Sequence, residues 1–288
     1  MYDLCSAGLG GGAVIVAGVS NIDIDQARAP AFGLADDLAP FQSDWHTHRL
    51  HQVLYAVHGV LHLEVDGGSW LLPPQRAAFL TANTRHQVVA DRKVALRTLY
   101  ISPDFGPLPS WDCRVFTVGP LAKELFLYAV RFSHQHDPQD PLLRTYFQTV
   151  LALALEWTEH GVLPFRLPVP QSEPLLRVTR LIRKQLGSPL SVPDLARAAA
   201  MSERTLHRRF QAELGISPHA YLHTARMLSA LDRLTDPQVP ITRVALDVGF
   251  ETPSAFSHAF VAFAGETPRD YRQRVLASDS PRSAIMTR

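Results

Sequence analysis

From Asp44 to about Ile101 the hydrophobic pattern repeats every two residues. In VLYAVHGVLHLEV (53–65) the odd positions Val53, Tyr55, Val57, Leu61, Leu63 and Val65 are apolar, while even ones include His58, His62 and Glu64. Such alternation predicts half-buried strands, with a turn near Gly59. Asp66-Gly67-Gly68 is a hairpin signal, and WLLPP, AAFLT, HQVVA and VALRTLYIS add closely spaced short strands. Together they predict a barrel or sandwich. Residues 1–40, rich in Gly and Ala, show no clear period and fit either a strand or two or disorder.

The period changes at Gly119-Pro120. LAKELFLYAVRF (121–132) and LLRTYFQTVLALALEWTEHG (142–161) read as helices, the second strongly apolar on one side. LPFRLPVPQSEP (163–174) holds four prolines in twelve residues and predicts a stiff, extended interdomain linker. Beyond it the pattern is helical until a polar tail begins near Ala277. The expected organisation is a β-rich domain at 1–118, apolar helices and linker at 119–170, a helical domain at 171–276 and a tail at 277–288.

The helical third contains a repeat. FQAELGISPHAY (210–221) aligns with FVAFAGETPRDY (260–271) at an offset of fifty, sharing Phe210/Phe260, Gly215/Gly265, Pro218/Pro268 and Tyr221/Tyr271. Each glycine suits the left-handed position that ends a helix. Ser217 and Thr267 then cap the next helix, with proline at its first position. Upstream, SVPDLARAAAMSERTLHRRF (191–210) opens with Ser191 and Asp194 at capping-box spacing. Leu195, Ala196 and Ala199 make a short apolar face, Ser202 caps a second helix, and Leu206 and Phe210 face inward. ITRVALDVGFETPSAFSHAF (241–260) repeats this with Ala245, Gly249 in the turn, and Phe256 and Phe260 inward. Two short helices joined by a tight turn form a helix-turn-helix, whose second helix fits a major groove. An ordinary helical bundle shares such spacing once; finding it twice, joined by a helix over about 217–234, argues against that reading.

Charge agrees. The overall formal charge is +1, but residues 1–170 carry 12 Lys+Arg against 16 Asp+Glu, and residues 171–288 carry 16 against 11. The basic end is the one with the repeat. Two cysteines, Cys5 and Cys113, lack disulfide or metal spacing and fit a reducing cytoplasm. The apolar stretch GLGGGAVIVAGV (8–19) is too short and glycine-rich to span a bilayer.

The run LAxxxxMSERTLxRxF, then GISPxxY, the AxxxGF run at 245–250 and GETPRDYR at 265–272 closely resemble the AraC/XylS family of bacterial transcription regulators. The resemblance covers about 100 residues and implies a seven-helix domain whose two helix-turn-helix units enter successive major grooves. Family base-contacting positions fall on Arg204, His207 and Arg208. Arginine can grip guanine O6 and N7 bidentately, although a phosphate contact is the alternative for any one of them. On the second recognition helix the open residues are Pro253, Ser254, Ala255, Ser257 and His258. Here the sequence departs from the family, which often has arginine where His258 stands. The first unit is therefore expected to dominate discrimination, and the second to add mostly backbone binding.

The N-terminal half resembles the cupin sensor domain of many such regulators, in a subgroup with an HxHxxxQ signature. Metal-binding cupins imply His46, His48, Gln52 and His86 as the ligand set, with Gln52 where the family has glutamate. Residues 46, 48 and 52 share one parity and, on an unbroken strand, one face. Three imidazoles suit Zn, Ni, Fe or Cu. Glutamine is a neutral, weaker ligand, which either holds a metal weakly or hydrogen-bonds an organic ligand. His51 has the opposite parity and reads as a surface or packing residue. His58 and His62 are further candidates for the lumen, or for exposed strand positions.

The expected fold is two-domain α+β: a jelly-roll-like β-barrel of cupin type with a helical dimerisation region, then an all-α domain with two helix-turn-helix units. The helices at 121–161 either cover the barrel or form a dimer interface. The resemblance implies a ligand- or metal-controlled activator, with promoter DNA, an effector, a second copy of the chain and RNA polymerase as partners, and no membrane. Two other classes compete. Cupin histidine sites also support dioxygenase or isomerase chemistry, against which Gln52 and the fused DNA-binding domain argue. A constitutive architectural DNA binder would show no response to any small molecule or metal.

Overall fold

The computed structural model describes residues 22–66, 68–159 and 166–277. The apolar 8–19 stretch, Cys5, Gly67 of the hairpin turn and the tail after Ala277 lie outside these. Among the described residues no helix is long and apolar enough to cross a membrane.

Among the described residues ten strands build two five-stranded antiparallel sheets in the jelly-roll manner. The first contains β1 (Ala31–Leu38), β3 (His51–His58), β6 (Arg76–Leu80), β8 (Val94–Ile101) and β9 (Cys113–Thr117), ordered β1-β8-β3-β6-β9. The second contains β2 (Phe41–Gln42), β4 (Leu61–Val65), β5 (Gly68–Leu72), β7 (His86–Ala90) and β10 (Arg166–Pro168), ordered β10-β5-β4-β7-β2. Their inner faces meet through Leu54, Ala56, Leu61, Leu63, Val88 and Leu96, all buried. The other face of the first sheet lies under α1 (Pro120–Ala129) and α2 (Pro141–Glu159), where Val53, Tyr55 and Phe79 pack with Phe126, Phe147 and Val150. This explains why VLYA at 53–56 is apolar at both parities: β3 is covered on both faces.

One expectation gains detail and one needs correction. Within the segment expected as a stiff, extended interdomain linker, Arg166–Pro168 pairs with β5, setting Leu167 opposite Ser69. An edge strand tolerates proline since its outer side needs no ladder hydrogen bond. The strand expected from Asp44 is broken. His46 forms an isolated bridge to His86 in the second sheet, whereas β3 begins at His51 in the first, so the chain crosses between sheets over 47–50.

Seven helices follow: α3 (Glu173–Lys184), α4 (Val192–Ala198), α5 (Glu203–Leu214), α6 (Pro218–Leu234), α7 (Ile241–Asp247), α8 (Pro253–Ala264) and α9 (Pro268–Ala277). The sequence repeat is physical. Phe210 meets Tyr221 edge-on at 5.9 Å between ring centroids, and Phe260 meets Tyr271 at 5.6 Å. Gly215 and Gly265 end α5 and α8 at φ 72° and 80°, where a Cβ is disfavoured. The capping box at Ser191 and Asp194 forms as the spacing predicts. The outer face of the second sheet docks on this domain, bringing Val60, Leu71 and Leu167 into one core with Leu175, Leu228 and Leu231.

Candidate functional site

His46, His48 and His86 come together at one end of the sandwich, with their nearest ring nitrogens all within 4.8 Å of one another. His46 and His86 arrive on the second sheet and Gln52 on the first, so the cluster converges across the interior rather than along one strand face. His48 and His86 are buried; His46 is half-buried.

Backbone carbonyls orient each ring. Nδ1 of His46, His48 and His86 donates to the carbonyls of Asp44, Leu50 and Thr84 at 2.8, 2.8 and 2.9 Å. That fixes one tautomer and leaves three Nε2 lone pairs facing inward, the arrangement by which ligating histidines are held. Among the described residues His86 Nε2 is buried with no hydrogen-bond partner. His48 Nε2 lies 3.1 Å from the Gln52 side-chain oxygen, and the Gln52 amide nitrogen donates to Tyr100 Oη at 3.1 Å. With Nδ1 already donating, two acceptors face each other at His48. A cation at Nε2 relieves this repulsion, and so does turning the amide, which would make Gln52 donate to His48 and accept from Tyr100.

The alternative, a doubly protonated cluster, is disfavoured. Burial lowers the pKa values of His46 and His48, and it brings His86 down to about 3, helped by the neighbouring His46 and His48. Three neutral nitrogen donors fit Zn²⁺, Ni²⁺, Cu²⁺ or Fe²⁺, and an organic hydrogen-bond donor would meet the same lone pairs.

The other histidines settle among the alternatives left open. His51 is the packing residue rather than the surface one: its Nδ1 accepts from the Ala82 N–H at 3.0 Å and its ring packs on Phe79. His62 faces away from the lumen, 3.6 Å from Asp91, and His58 sits at the far end of β3 beyond a bulge. Tyr100 was missed; only the pairing of β3 with β8, which sets Gln52 opposite it, reveals its place.

In the helical domain Ser202 and Thr252 cap α5 and α8 by accepting the N–H of Thr205 and Ala255. Leu206 and Phe210 are buried, while Glu203, Arg204, His207, Arg208 and Arg209 are exposed. Arg209 was not singled out from sequence; the Arg-Arg pair ahead of inward Phe210 was its signal. Arg197, Arg233, Arg243 and Arg274 are held in ion pairs. Among the described residues Arg204, Arg208 and Arg209 have none. On α8, Pro253, Ser254, Ala255 and His258 are exposed and Ser257 is half-buried; the helix carries no Lys or Arg.

A helix-turn-helix domain model matches residues 195–274, and an AraC-like ligand-binding domain model matches residues 32–106. The chain is an AraC-type transcriptional regulator. It is 28% identical over 266 residues to the HTH-type transcriptional regulator NimR of Escherichia coli (strain K12), covering 91% of this chain and 93% of that one. It is 33% identical over 110 residues to the HTH-type transcriptional activator RhaR of Yersinia pseudotuberculosis, 38% of each chain. A ToxT structure from Vibrio cholerae aligns at TM-score 0.37 and 12% identity, covering 85% of this chain and 98% of that one. In this regulator the ligand-binding match runs from β1 through β8 of the sandwich, and the helix-turn-helix match spans the helices from α4 into α9.

Proposed function

We propose that the regulator is a cytoplasmic activator whose effector site is the imidazole cluster, occupied by a divalent transition metal or by an organic ligand hydrogen-bonded to it. His46, His48 and His86 supply Nε2 donors, and Gln52 completes the set as a weak ligand or an orienting amide. The carrying observation is that all three Nδ1 atoms are tied to carbonyls, which preorganises three unprotonated nitrogens toward one point. Operator DNA is read chiefly by Arg204, His207 and Arg208 on α5. Pro253, Ser254, Ser257 and His258 of α8 hold the adjacent groove mainly through backbone contacts. No catalytic role is assigned to the cluster: it holds no carboxylate to serve as a base, and the named relatives are regulators.

Leu121 and Leu142 stand 60% and 54% exposed on α1 and α2, which supports a homodimer formed through these helices. A dimer places two DNA-binding domains on adjacent half-sites, where promoter-bound RNA polymerase is the partner to be recruited.

The test loads purified protein with Zn²⁺, Ni²⁺, Cu²⁺ or Fe²⁺, measures stoichiometry, and follows operator binding by fluorescence anisotropy. One ion per wild-type chain, none in His48→Ala, and a metal-dependent change in operator affinity are expected. If neither metals nor a metabolite panel change operator affinity, the protein is a constitutive DNA binder and the effector reading is wrong.

A further inference from the structure

A cavity lies where the two domains meet, on the opposite face of the second sheet from the imidazole cluster. Its volume is about 500 Å³, with His62, Leu71 and Val89 on the sensor wall and Leu228, Asp232 and Arg233 of α6 on the other. That size falls within the range of small-molecule sites, which occur preferentially at domain interfaces.

The charges around it are unevenly matched. Arg183 pairs with Glu64 at 3.4 Å, Arg92 with Asp236 at 3.4 Å, and Arg233 with Asp247 at 3.3 Å. Among the described residues Asp91 pairs only with His62, at 3.6 Å. The Asp232 carboxylate has neither an ion pair nor a hydrogen bond among the described residues. Every lining arginine is therefore already taken, and the uncommitted charge is negative. Burial pushes the Asp232 carboxyl above its usual range, although His62, Arg92 and Arg233 pull the other way. An anionic ligand would have to break an existing ion pair to find a cation; a cationic one meets a waiting carboxylate.

We propose that this interdomain cleft binds an organic monocation with an apolar body, an aryl- or alkylamine, whose ammonium pairs with Asp232 while its body packs on Leu71, Val89 and Leu228. Because the walls come from different domains, the occupant favours the docked arrangement, in which α6 holds both helix-turn-helix units against the sensor. This is a second ligand site, separate from the effector site proposed above.

The test uses the full chain in EDTA, with tryptamine and phenethylamine as probes and indole-3-acetate and phenylacetate as their anionic counterparts. Calorimetry should show binding of the amines and not of the acids, and the amines should raise the thermal midpoint. Asp232→Asn should weaken amine binding at least about tenfold, the order expected for losing one partly desolvated ion pair. It removes an unpaired charge and should fold at least as well as wild type, which a thermal melt without probe checks. Val89→Trp, filling the cleft from the sensor side, should abolish amine binding and provides an independent arm. Acids binding as well as amines, unchanged amine affinity in Asp232→Asn, or no amine binding at millimolar concentration would each overturn the proposal. DNA and metal are absent throughout, so failure here is distinguishable from failure of the operator or metal reading.

Discussion

Acidification should destabilise the sensor domain through its buried imidazoles, and for His86 and His51 the size of the effect follows from their surroundings. His86 is fully buried with pKa near 3, and His51 is buried with pKa near 4, each against 6.5 for a free imidazole. Both are lowered first by burial and then by neighbouring histidines. For His51, protonation would also set a second N–H against the Ala82 N–H that Nδ1 now accepts. Folded pKa values below the unfolded ones mean that the unfolded chain binds more protons between about pH 3 and 6.5. Stability therefore rises with pH across that window and is fully present above it. From pH 7 to pH 5 the unfolded chain goes from about a quarter of a proton to nearly one at each site, while the folded chain takes up almost none. At 1.36 kcal/mol per unit this costs about 2 kcal/mol per site, or ~4 kcal/mol for the pair. Urea unfolding in EDTA at pH 7, 6 and 5 measures the loss. In His86→Asn, whose amide can still donate to the Thr84 carbonyl, the drop should be smaller than in wild type by about 2 kcal/mol, the share of His86 alone, while His46, His48 and His51 still contribute. An equal drop in wild type and variant would show that His86 is not held neutral by burial.

Three further outcomes follow from the DNA-binding domain. Arg208→Ala should cost about 1–3 kcal/mol on the preferred operator and flatten discrimination at one position in a panel of operator variants; an equal loss on every sequence would reduce Arg208 to a phosphate contact. Phe210→Ala, removing a fully buried ring beside Tyr221, should cost about 3–5 kcal/mol in chemical denaturation; a cost below ~1 kcal/mol would mean that α5 packs otherwise. His258→Arg should tighten binding to all sequences and steepen the salt dependence by roughly one unit in log–log slope, because α8 now lacks a cation; an unchanged slope would place His258 off the backbone.

What was legible in the sequence was local. The caps at Ser191, Ser202 and Ser217, the left-handed glycines 215 and 265, and the inward positions Leu206, Phe210, Phe256 and Phe260 depend on neighbours within a few residues, and all appear where spacing puts them. The repeat strengthened each by supplying a second copy. Ala200, at φ 54°, shows the limit even here: the first unit turns on an alanine where the second uses Gly249, and the second turn runs one residue longer before its cap. An offset of fifty holds from Ser202 and Thr252 onward but not across the turns.

The sensor was harder to read because its contacts join distant segments. Parity put His46, His48 and Gln52 together, but for a reason that does not hold: the chain leaves one sheet after His46 and enters the other at His51. In a two-layer sandwich inward positions from both sheets share one interior, so residues on opposite layers converge as well as residues on one strand. The same geometry moves His51 to the helix-covered face, because parity distinguishes the faces of a strand but not which face is exposed. α1 and α2, beginning 69 and 90 residues later, decide that. His62 follows the reverse logic, since its face is polar where it meets charged residues of a domain more than a hundred residues away. The histidine-rich segment 46–62 thus reaches three different environments: a convergent donor set, a buried packing ring and the rim of an interdomain cleft. What separates them is whether the second layer, the covering helices or the DNA-binding domain lies across from each side chain.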